Sequence, residues 1–294
     1  MAPDSFKGSL TSVEVAQALA DGWRRVRGVD EIVLAPLADG GEGTLEAIAA
    51  TGAWTWETVD ATDPIGRPVM ARWLRSLDGQ RAVVELASAS GLSRLAVNER
   101  DPFGASTRGT GEVLVAVLDA GIRHIVLGIG GSATSDGGRG ILEALGAQVT
   151  DLDDDPVLVD LTRLDPRLAE VELRIACDVS NPLLGEHGAA ATYGPQKGAD
   201  AVAVLELDAR LARWADGLDA ATRKNEREAP GAGAAGGTAF GLLSVGVWLR
   251  AIELVPGVDL VVAETGLREL LAGADLLITG EGRIDAQTDR KSVV

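Results

Sequence analysis

The chain has 294 residues, of which 44 are acidic and 27 are basic, and its formal net charge is −17 at pH 7. Such an acidic chain lacks the basic surface that nucleic acids and anionic membranes attract, so neither is expected as a partner. Hydrophobic residues make up 46% of the chain and charged residues 24%, a mixture typical of a soluble globular protein.

The first 60 residues predict a helix, a strand and a second helix. Thr11 and Glu14 have the spacing of a capping box, which predicts that a helix begins there. Gly28 stands where a C-terminal helix cap is expected. An apolar run at residues 32–35 predicts a strand, and residues 45–50 predict a short helix after a glycine-rich loop.

The pattern changes near residue 61. Residues 63–66 read Asp-Pro-Ile-Gly and predict a turn. The segments 70–77 and 81–87 then flank an Asp-Gly pair, which is typical of a β-hairpin. Antiparallel strands within an otherwise alternating pattern indicate that a second domain begins here.

Strands and helices alternate through the rest of the chain, which favours an α/β fold with a largely parallel sheet. Residues 229–249 carry no charge, but their six glycines and one proline favour a glycine-rich loop leading into a buried helix over a membrane span. The remaining predicted helices are 111–120, 140–146 and 199–214, and the remaining predicted strands are 124–128, 173–176, 260–263 and 276–279.

A glycine-rich segment, GIGGSATSDGGRG at residues 128–140, joins a predicted strand to a predicted helix. Glycines allow backbone amides to approach an anion, and the helix that follows adds its positive end. Gly128, Gly130 and Ala133 also satisfy the weak dinucleotide pattern G-x-G-x-x-A. The segment is therefore a candidate phosphate site, and a glycine-rich turn that binds no ligand is the alternative.

Carboxylates gather in loops that follow predicted strands. In open α/β sheets, ligands bind beyond the carboxyl ends of the strands, where several acids could hold Mg²⁺ and orient a hydroxyl group. Each acid taken alone could instead cap a helix or close a turn. The acids are Asp39 with Glu42, Asp136, Asp178, and Glu281 with Asp285.

Cysteine and histidine are too scarce for several kinds of site. The one cysteine, Cys177, cannot form an intrachain disulfide and favours a reducing, cytoplasmic location. With two histidines in the chain, a Cys/His zinc site is not expected. Lysine is also rare, and Lys7 and Lys197 stand beside glycines, where their charge could serve phosphoryl transfer.

Seven segments in order resemble the glycerate kinase type-1 family, and together they span nearly the whole chain. Each string alone is short, but seven of them in the family's order and approximate spacing are specific. They are APDSFKGSLTS at 2–12, PLADGGEGT at 36–44, GIGGSATSDGG at 128–138, CDVSNPLLGEHGAA at 177–190, YGPQKGA at 193–199, PGAGAAGG at 230–237 and ITGEGRIDAQT at 278–288.

The resemblance implies two α/β domains with the active site in the cleft between them. Residues 1–60 and 256–294 would form a Rossmann-like parallel-sheet domain, and residues 61–255 an inserted mixed-sheet α/β domain. Family members normally carry a strand before the first motif and a sizeable C-terminal stretch. The Rossmann-like domain of this chain is therefore expected to be incomplete, with the chain truncated at both ends.

The same resemblance implies ATP-dependent phosphorylation of D-glycerate, with ATP and Mg²⁺ as cofactors and 2-phosphoglycerate expected rather than 3-phosphoglycerate. The enzyme would be cytoplasmic and could form a homodimer. Two alternatives remain open at this point. One is an NAD(P)-linked oxidoreductase acting on a small hydroxy acid, and the other is a non-catalytic protein that binds a hydroxy acid.

The residues that match the family's motifs predict the site. Asp178 or Asp39 would orient the glycerate hydroxyl and accept its proton, and Lys7 would neutralise phosphate charge. The predicted nucleotide- and phosphate-binding residues are Gly128, Gly130, Gly131, Ser132, Asp136 and Lys197. The predicted substrate-binding residues are Asp4, Ser5, Asn181 and Arg283. The predicted metal ligands are Glu281 and Asp285.

Overall fold

The computed structural model describes residues 1–6, 9–151 and 157–282, and a six-stranded mixed sheet lies at its centre. Within these residues the strands are β1 (Trp54–Thr62), β2 (Pro68–Ser76), β3 (Arg81–Glu85), β4 (His124–Gly128), β5 (Gln148–Thr150), β6 (Leu158–Asp160), β7 (Glu172–Ala176) and β8 (Ala251–Val255). The α-helices are α1 (Ser12–Arg24), α2 (Thr44–Ala49), α3 (Ala87–Ser90), α4 (Arg108–Asp119), α5 (Arg139–Ala144), α6 (Ala189–Tyr193), α7 (Ala201–Thr222), α8 (Ala234–Ser244), α9 (Gly257–Thr265) and α10 (Leu267–Ala272).

The large sheet has the order β1-β2-β3-β4-β7-β8. Its first three strands are antiparallel, and the predicted Asp-Gly hairpin is formed by β2 and β3, whereas β3, β4, β7 and β8 are parallel. The expected α/β class with a mixed sheet is confirmed. β1 pairs with β2 along its whole length from Trp54, so the domain boundary proposed at residue 61 falls inside this strand.

Buried side chains alternate along the central strands because successive residues face opposite sides of a sheet. Val83 and Val126 pack on one face, together with residues of α2 and α9. Leu127 and Ile175 pack on the other face, in the largest apolar cluster, with residues of α4, α5, α7 and α8. The sheet is therefore covered on both faces, as parallel strands require.

A second, smaller set of extended segments lies outside the large sheet. The ammonium group of Met1 donates to Val33 O, and the amides of Ala35 and Leu37 donate to Met1 O and Pro3 O. On the other side, the amides of Ala2 and Asp4 donate to residues 278 and 280. Because these partners advance in the same direction, the segments 33–37, 1–4 and 277–280 run parallel to one another.

Several predicted elements change type or boundary. The predicted strand at 260–263 is wrong, because those residues lie in α9, where Leu260 and Val261 face the large sheet and Val262 faces the small set. A run of buried apolar residues does not by itself distinguish a strand from a buried helix. The Thr11 capping box is confirmed, but α1 ends at Arg24 and Gly28 does not cap it.

The uncharged segment at 229–249 folds as the sequence predicted. It leads into α8, a short buried helix whose second to fourth residues are not helical. Among the described residues, no helix is long and apolar enough to cross a membrane.

Substitution of Leu127 by alanine should destabilise the fold strongly. Leu127 in β4 is fully buried, and a leucine-to-alanine change at such a site costs about 2–5 kcal/mol. Leu205→Ala in α7 is the matched control, since Leu205 is 74% exposed and should change the free energy of unfolding by less than about 0.5 kcal/mol. Denaturant unfolding measures both, and equal effects of the two substitutions would contradict the packing described.

Candidate active site

The four parallel strands of the large sheet end in line. Glu85, Gly128, Ala176 and Val255, the last residues of β3, β4, β7 and β8, pair in register across the sheet. The segments that follow them therefore emerge at one edge. This edge, the carboxyl end of a parallel sheet, is where α/β proteins bind ligands.

The loop 39–43, Asp-Gly-Gly-Glu-Gly, lies directly across that edge. A Cβ built on Gly128 would lie 2.5 Å from Gly40 O, and one on Gly130 would lie 2.5 Å from the Gly41 Cα. A Cβ on Gly40, whose φ is +82°, would lie 2.3 Å from the Ala176 Cβ. Since no side chain fits at these distances, glycines on both sides permit the contact.

These contacts account for the glycines of the G-x-G-x-x-A pattern. Gly128 and Gly130 bring the strand end against the backbone of the loop 39–43, and the amide of Gly130 donates to Gly40 O at 3.3 Å. The pattern is therefore explained by backbone packing within the protein, without a dinucleotide.

Asp39 and Asp178 meet at Gly257, the first residue of α9. Asp178 Oδ1 accepts a hydrogen bond of 2.9 Å from the Gly257 amide. A Cβ built on Gly257 would lie 2.0 Å from Asp39 O and 2.9 Å from Asp178 Oδ2. Both aspartates are solvent-exposed, so their carboxylates are accessible at the edge of the sheet. The structure thus brings together two acids that lie 139 positions apart in the sequence.

Asp39 also belongs to the end of the smaller parallel set. It follows the segment 33–37, while Asp4 ends the segment 1–4 and Glu281 follows 277–280. The Asp4 amide donates to Gly280 O at 2.8 Å, and the Ser5 amide donates to Asp4 Oδ1 at 2.6 Å. The carboxyl ends of both parallel sets therefore lie next to the loop 39–43, and the surface that they share, called the crevice below, is the candidate active site.

Three predicted site residues lie outside the residues that the structure describes. They are Lys7, Arg283 and Asp285.

Lys197 is buried, with 1% of its surface exposed, in a short 3-10 helix at Pro195–Lys197. Its Nζ donates to Ser132 Oγ at 2.9 Å and to the backbone oxygen of Thr134. Burial lowers the pKa of Lys197 to about 7, and the nearby Asp136 carboxylate opposes that shift. The ammonium group thus holds the glycine-rich loop from inside the protein.

Asp136, predicted to bind phosphate, fixes two helix starts. Its Oδ2 accepts hydrogen bonds from the Thr107 amide and hydroxyl, both at 2.8 Å, and from the Gly140 amide at 3.1 Å. Its Oδ1 accepts from the Gly138 amide at 3.1 Å. These bonds tie the glycine-rich loop to the N-termini of α4 and α5, which favours a structural contribution.

The side chain of Asn181 forms hydrogen bonds to nearby residues of the segment between β7 and the end of α6. Its Nδ2 donates to His187 O at 2.8 Å and to Thr192 Oγ1 at 3.2 Å, and its Oδ1 accepts from the Tyr193 hydroxyl at 2.9 Å. Burial raises the pKa of Tyr193. The bonds stabilise the segment between β7 and α6, which follows Asp178 at the sheet edge.

Sequence reasoning missed Glu85, a buried carboxyl group at the end of β3. It is 5% exposed, and its Oε1 accepts a hydrogen bond of 2.7 Å from the Leu45 amide at the start of α2. Burial raises the pKa of Glu85 to about 8. In the sequence, Glu85 is recognisable only as an acid at the end of an apolar run. Such an acid can be exposed or buried, and the sequence does not show which.

The carboxylates do not gather as tightly as the sequence suggested. Within residues 1–6, 9–151 and 157–282, no group of three or more His, Cys, Asp or Glu side chains is placed to hold a metal ion. Asp39 and Asp178, which both approach Gly257, are the two acids that the described part of the site brings near one another. Mg²⁺ in kinases is commonly held by one or two carboxylates together with substrate phosphates, so a pair is compatible with such a site.

These features define an α/β protein whose candidate site lies where the carboxyl ends of the large sheet and of the smaller parallel set meet. The model of the glycerate kinase family matches residues 1–294. A glycerate kinase of Halalkalibacterium halodurans is 44% identical over 98% of this chain and 78% of its own length. Glycerate 2-kinase of Escherichia coli K12 is 41% identical over 98% of this chain and 77% of its own length.

A solved structure gives the same result. The crystal structure of a Salmonella typhimurium LT2 protein that carries the name glycerate kinase 2 matches with a TM-score of 0.86 and 41% identity. The match covers 98% of this chain and 79% of that chain. The chain belongs to the glycerate kinase family.

The buried lysine predicts a distinctive pH dependence of stability. Between a folded pKa of about 7 and the ordinary value of 10.5, the unfolded chain binds a proton that the folded chain has released. The free energy of unfolding attributable to Lys197 therefore rises with pH across that window, and each pKa unit corresponds to about 1.4 kcal/mol.

Lys197→Met should remove this contribution. We expect the stability difference between wild type and variant to move in favour of the wild type from about pH 7 to about pH 9.5, measured by denaturant unfolding at several pH values. Lys224→Met, at a half-exposed loop lysine, is the matched control. Parallel pH curves for wild type and Lys197→Met would show that Lys197 does not titrate in this window.

Proposed function

We propose that this protein transfers the terminal phosphoryl group of ATP to D-glycerate and forms 2-phosphoglycerate. The observation that carries the proposal is the meeting of Asp39 and Asp178 at Gly257, beside a glycine-lined loop at the ends of parallel strands. The names of the relatives support the same activity, and the name of the Escherichia coli relative supports phosphorylation at the 2-hydroxyl.

Phosphoryl transfer to an alcohol needs a group that orients the hydroxyl and accepts its proton as the new O–P bond forms. Asp178 and Asp39 are the candidates because both are exposed at the crevice. The Gly257 amide holds one oxygen of Asp178, which fixes the plane of that carboxylate. We assign the proton-accepting role to Asp178 and an orienting role to Asp39.

The phosphates of ATP require positive charge and backbone amides. Gly131 and Ser132 would supply amides in a loop whose shape Lys197 and Asp136 stabilise from within, whereas the Gly130 amide donates to Gly40 O. Lys197 then acts on the phosphates through the loop and not by direct contact. Lys7 is the proposed direct cation, because it stands three residues beyond Asp4 in the motif that borders the crevice.

The carboxylate of glycerate requires a separate partner. An arginine can pair with it through two parallel hydrogen bonds, and Arg283 is the proposed residue, with Asp4, Ser5 and Asn181 as neighbours that position the hydroxyl groups. In the sequence, Arg283 stands two residues beyond Glu281, and Glu281 follows the segment 277–280.

For the metal, Glu281 and Asp285 remain the proposed ligands, with Asp39 and Asp178 close to the same edge. Mg²⁺ held by these residues would neutralise negative charge on the transferring group. A cytoplasmic location and a homodimeric state also remain predictions from the sequence.

Identification of the reaction product tests the proposed function most directly. We expect phosphorus NMR of a reaction containing D-glycerate, ATP and Mg²⁺ to show ADP and 2-phosphoglycerate. A resonance of 3-phosphoglycerate would overturn the regiochemistry and retain the kinase. A protein that consumes no ATP but binds NADH in a parallel titration would be an oxidoreductase instead, and one that binds glycerate alone would be a non-catalytic binder.

Removal of the proposed proton acceptor should slow the chemical step. Asp178→Asn keeps the shape of the side chain and its hydrogen bond from Gly257, but asparagine cannot accept the proton, so kcat should fall about 10²- to 10⁴-fold. Steady-state kinetics with D-glycerate measures the loss. Asp21→Asn, on the exposed face of α1, is the matched control and should leave kcat unchanged.

A near-wild-type kcat in Asp178→Asn would remove this residue from the proposed mechanism. The same measurement on Asp39→Asn would then show whether Asp39 accepts the proton instead.

A further inference from the structure

Glu85 lies beneath the loop 39–43, where the large sheet meets α2. Its strand, β3, pairs with β4 so that Glu85 is opposite Gly128, the first glycine of the glycine-rich loop. Its carboxyl group is aimed at the first turn of α2, which continues directly from the loop 39–43. The Glu85 side chain thus contacts α2, the helix that follows the loop carrying Asp39, and Glu85 pairs with Gly128 at the start of the glycine-rich loop.

The hydrogen bonds of Glu85 replace a cap that α2 lacks. Gly43, the N-cap residue, has no side chain to accept a hydrogen bond from the first-turn amides. Glu85 Oε1 accepts from the Leu45 amide at 2.7 Å, and the Thr44 amide also bonds to this carboxyl group. Glu85 therefore caps α2 from a strand 40 residues away in the sequence.

The charges around Glu85 are acidic. Glu42 in the loop and Glu46 in α2 both repel a negative charge at Glu85, and Arg72 of β2 pairs with Glu46 at 2.6 Å. On the β4 side, the strand presents Gly128, which carries no charge. The folded protein therefore favours the neutral acid, which can still accept hydrogen bonds through its carbonyl oxygen.

We propose that Glu85 is a positioning residue, whose buried carboxyl group fixes the loop 39–43, and with it Asp39, over the strand ends by capping α2. The inference rests on the proposed function, since Asp39 matters to catalysis only if the crevice is the active site. Glu85 touches no reacting atom in this scheme and acts through the loop.

The neutral form sets a direction for the effect of pH. When the start of α2 opens to water, the Glu85 carboxyl is no longer buried beside Glu42 and Glu46, and its pKa returns to the ordinary value. Between the ordinary pKa of 4.5 and about 8, the folded chain holds a proton that the unfolded chain has lost. The contribution of Glu85 to the free energy of unfolding therefore falls as the pH rises through that window.

Two variants test the proposal. Glutamine resembles the neutral acid and keeps the acceptor, so Glu85→Gln should match wild-type kcat at about pH 6 and lose less activity than the wild type from about pH 6 to about pH 8. Glu85→Ala removes the acceptor and should lower kcat about 10- to 100-fold, because a catalytic group displaced by about 1 Å loses activity on that scale. Glu46→Gln, which removes a charge from the same helix without removing the cap, is the matched control and should leave kcat unchanged.

Amide hydrogen exchange of a peptide covering residues 39–46 provides a readout that needs no activity and no alanine variant. Protection, corrected for the intrinsic effect of pH, should fall in the wild type from about pH 6 to about pH 8, level off above that, and stay constant in Glu85→Gln. Constant protection in the wild type would overturn the proposal, as would Glu85→Gln kinetics as poor as those expected of Glu85→Ala. If the wild type does not phosphorylate glycerate at all, the proposed function fails, and the exchange result still decides the role of Glu85.

Discussion

The arrangement of the crevice depends on one steric constraint, the close approach of two glycine-containing backbones. Gly40 and Gly41 lie against Gly128 and Gly130 at distances where a single Cβ would meet backbone atoms at 2.5 Å. A methyl group at either side would lift the loop 39–43 away from the strand ends. The glycines of each segment therefore make room for the backbone of the other. This close packing explains the number of glycines as well as the exposure of amides to a ligand would.

The contact matters because the loop belongs to two parts of the fold at once. Asp39 follows the segment 33–37 of the small parallel set, whereas Gly40 and Gly41 rest on the large sheet. α9 makes the second connection, since Leu260 packs on the large sheet and Val262 packs with the small set. The carboxyl ends of both sets are held side by side, which places acids from distant segments at one crevice.

The sequence predicts the parts of this arrangement that depend on local pattern. The capping box of α1, the hairpin of β2 and β3 and the span of β4 are confirmed because turn chemistry and apolar runs act over a few residues. The apolar run 260–263 predicts a strand wrongly, because burial of α9 on two sides removes the amphipathic period that marks a helix. The motifs also identified Asp39 and Asp178, but their meeting at Gly257 follows from strand order, which no local pattern encodes.

Buried ionisable groups are the feature that sequence pattern reveals least, and in this fold two of them support the exposed site. Lys197 lies beneath the glycine-rich loop and donates to the backbone oxygen of Thr134. Glu85 lies beneath the loop 39–43 and accepts a hydrogen bond from the Leu45 amide. Glycines allow the close approach but contribute no side-chain contacts to hold it, so the rigidity of the crevice has to come from residues below it. A buried ionisable group suits this need, because leaving its hydrogen bonds unmade inside the protein is costly and the loop is therefore held in the conformation that makes them.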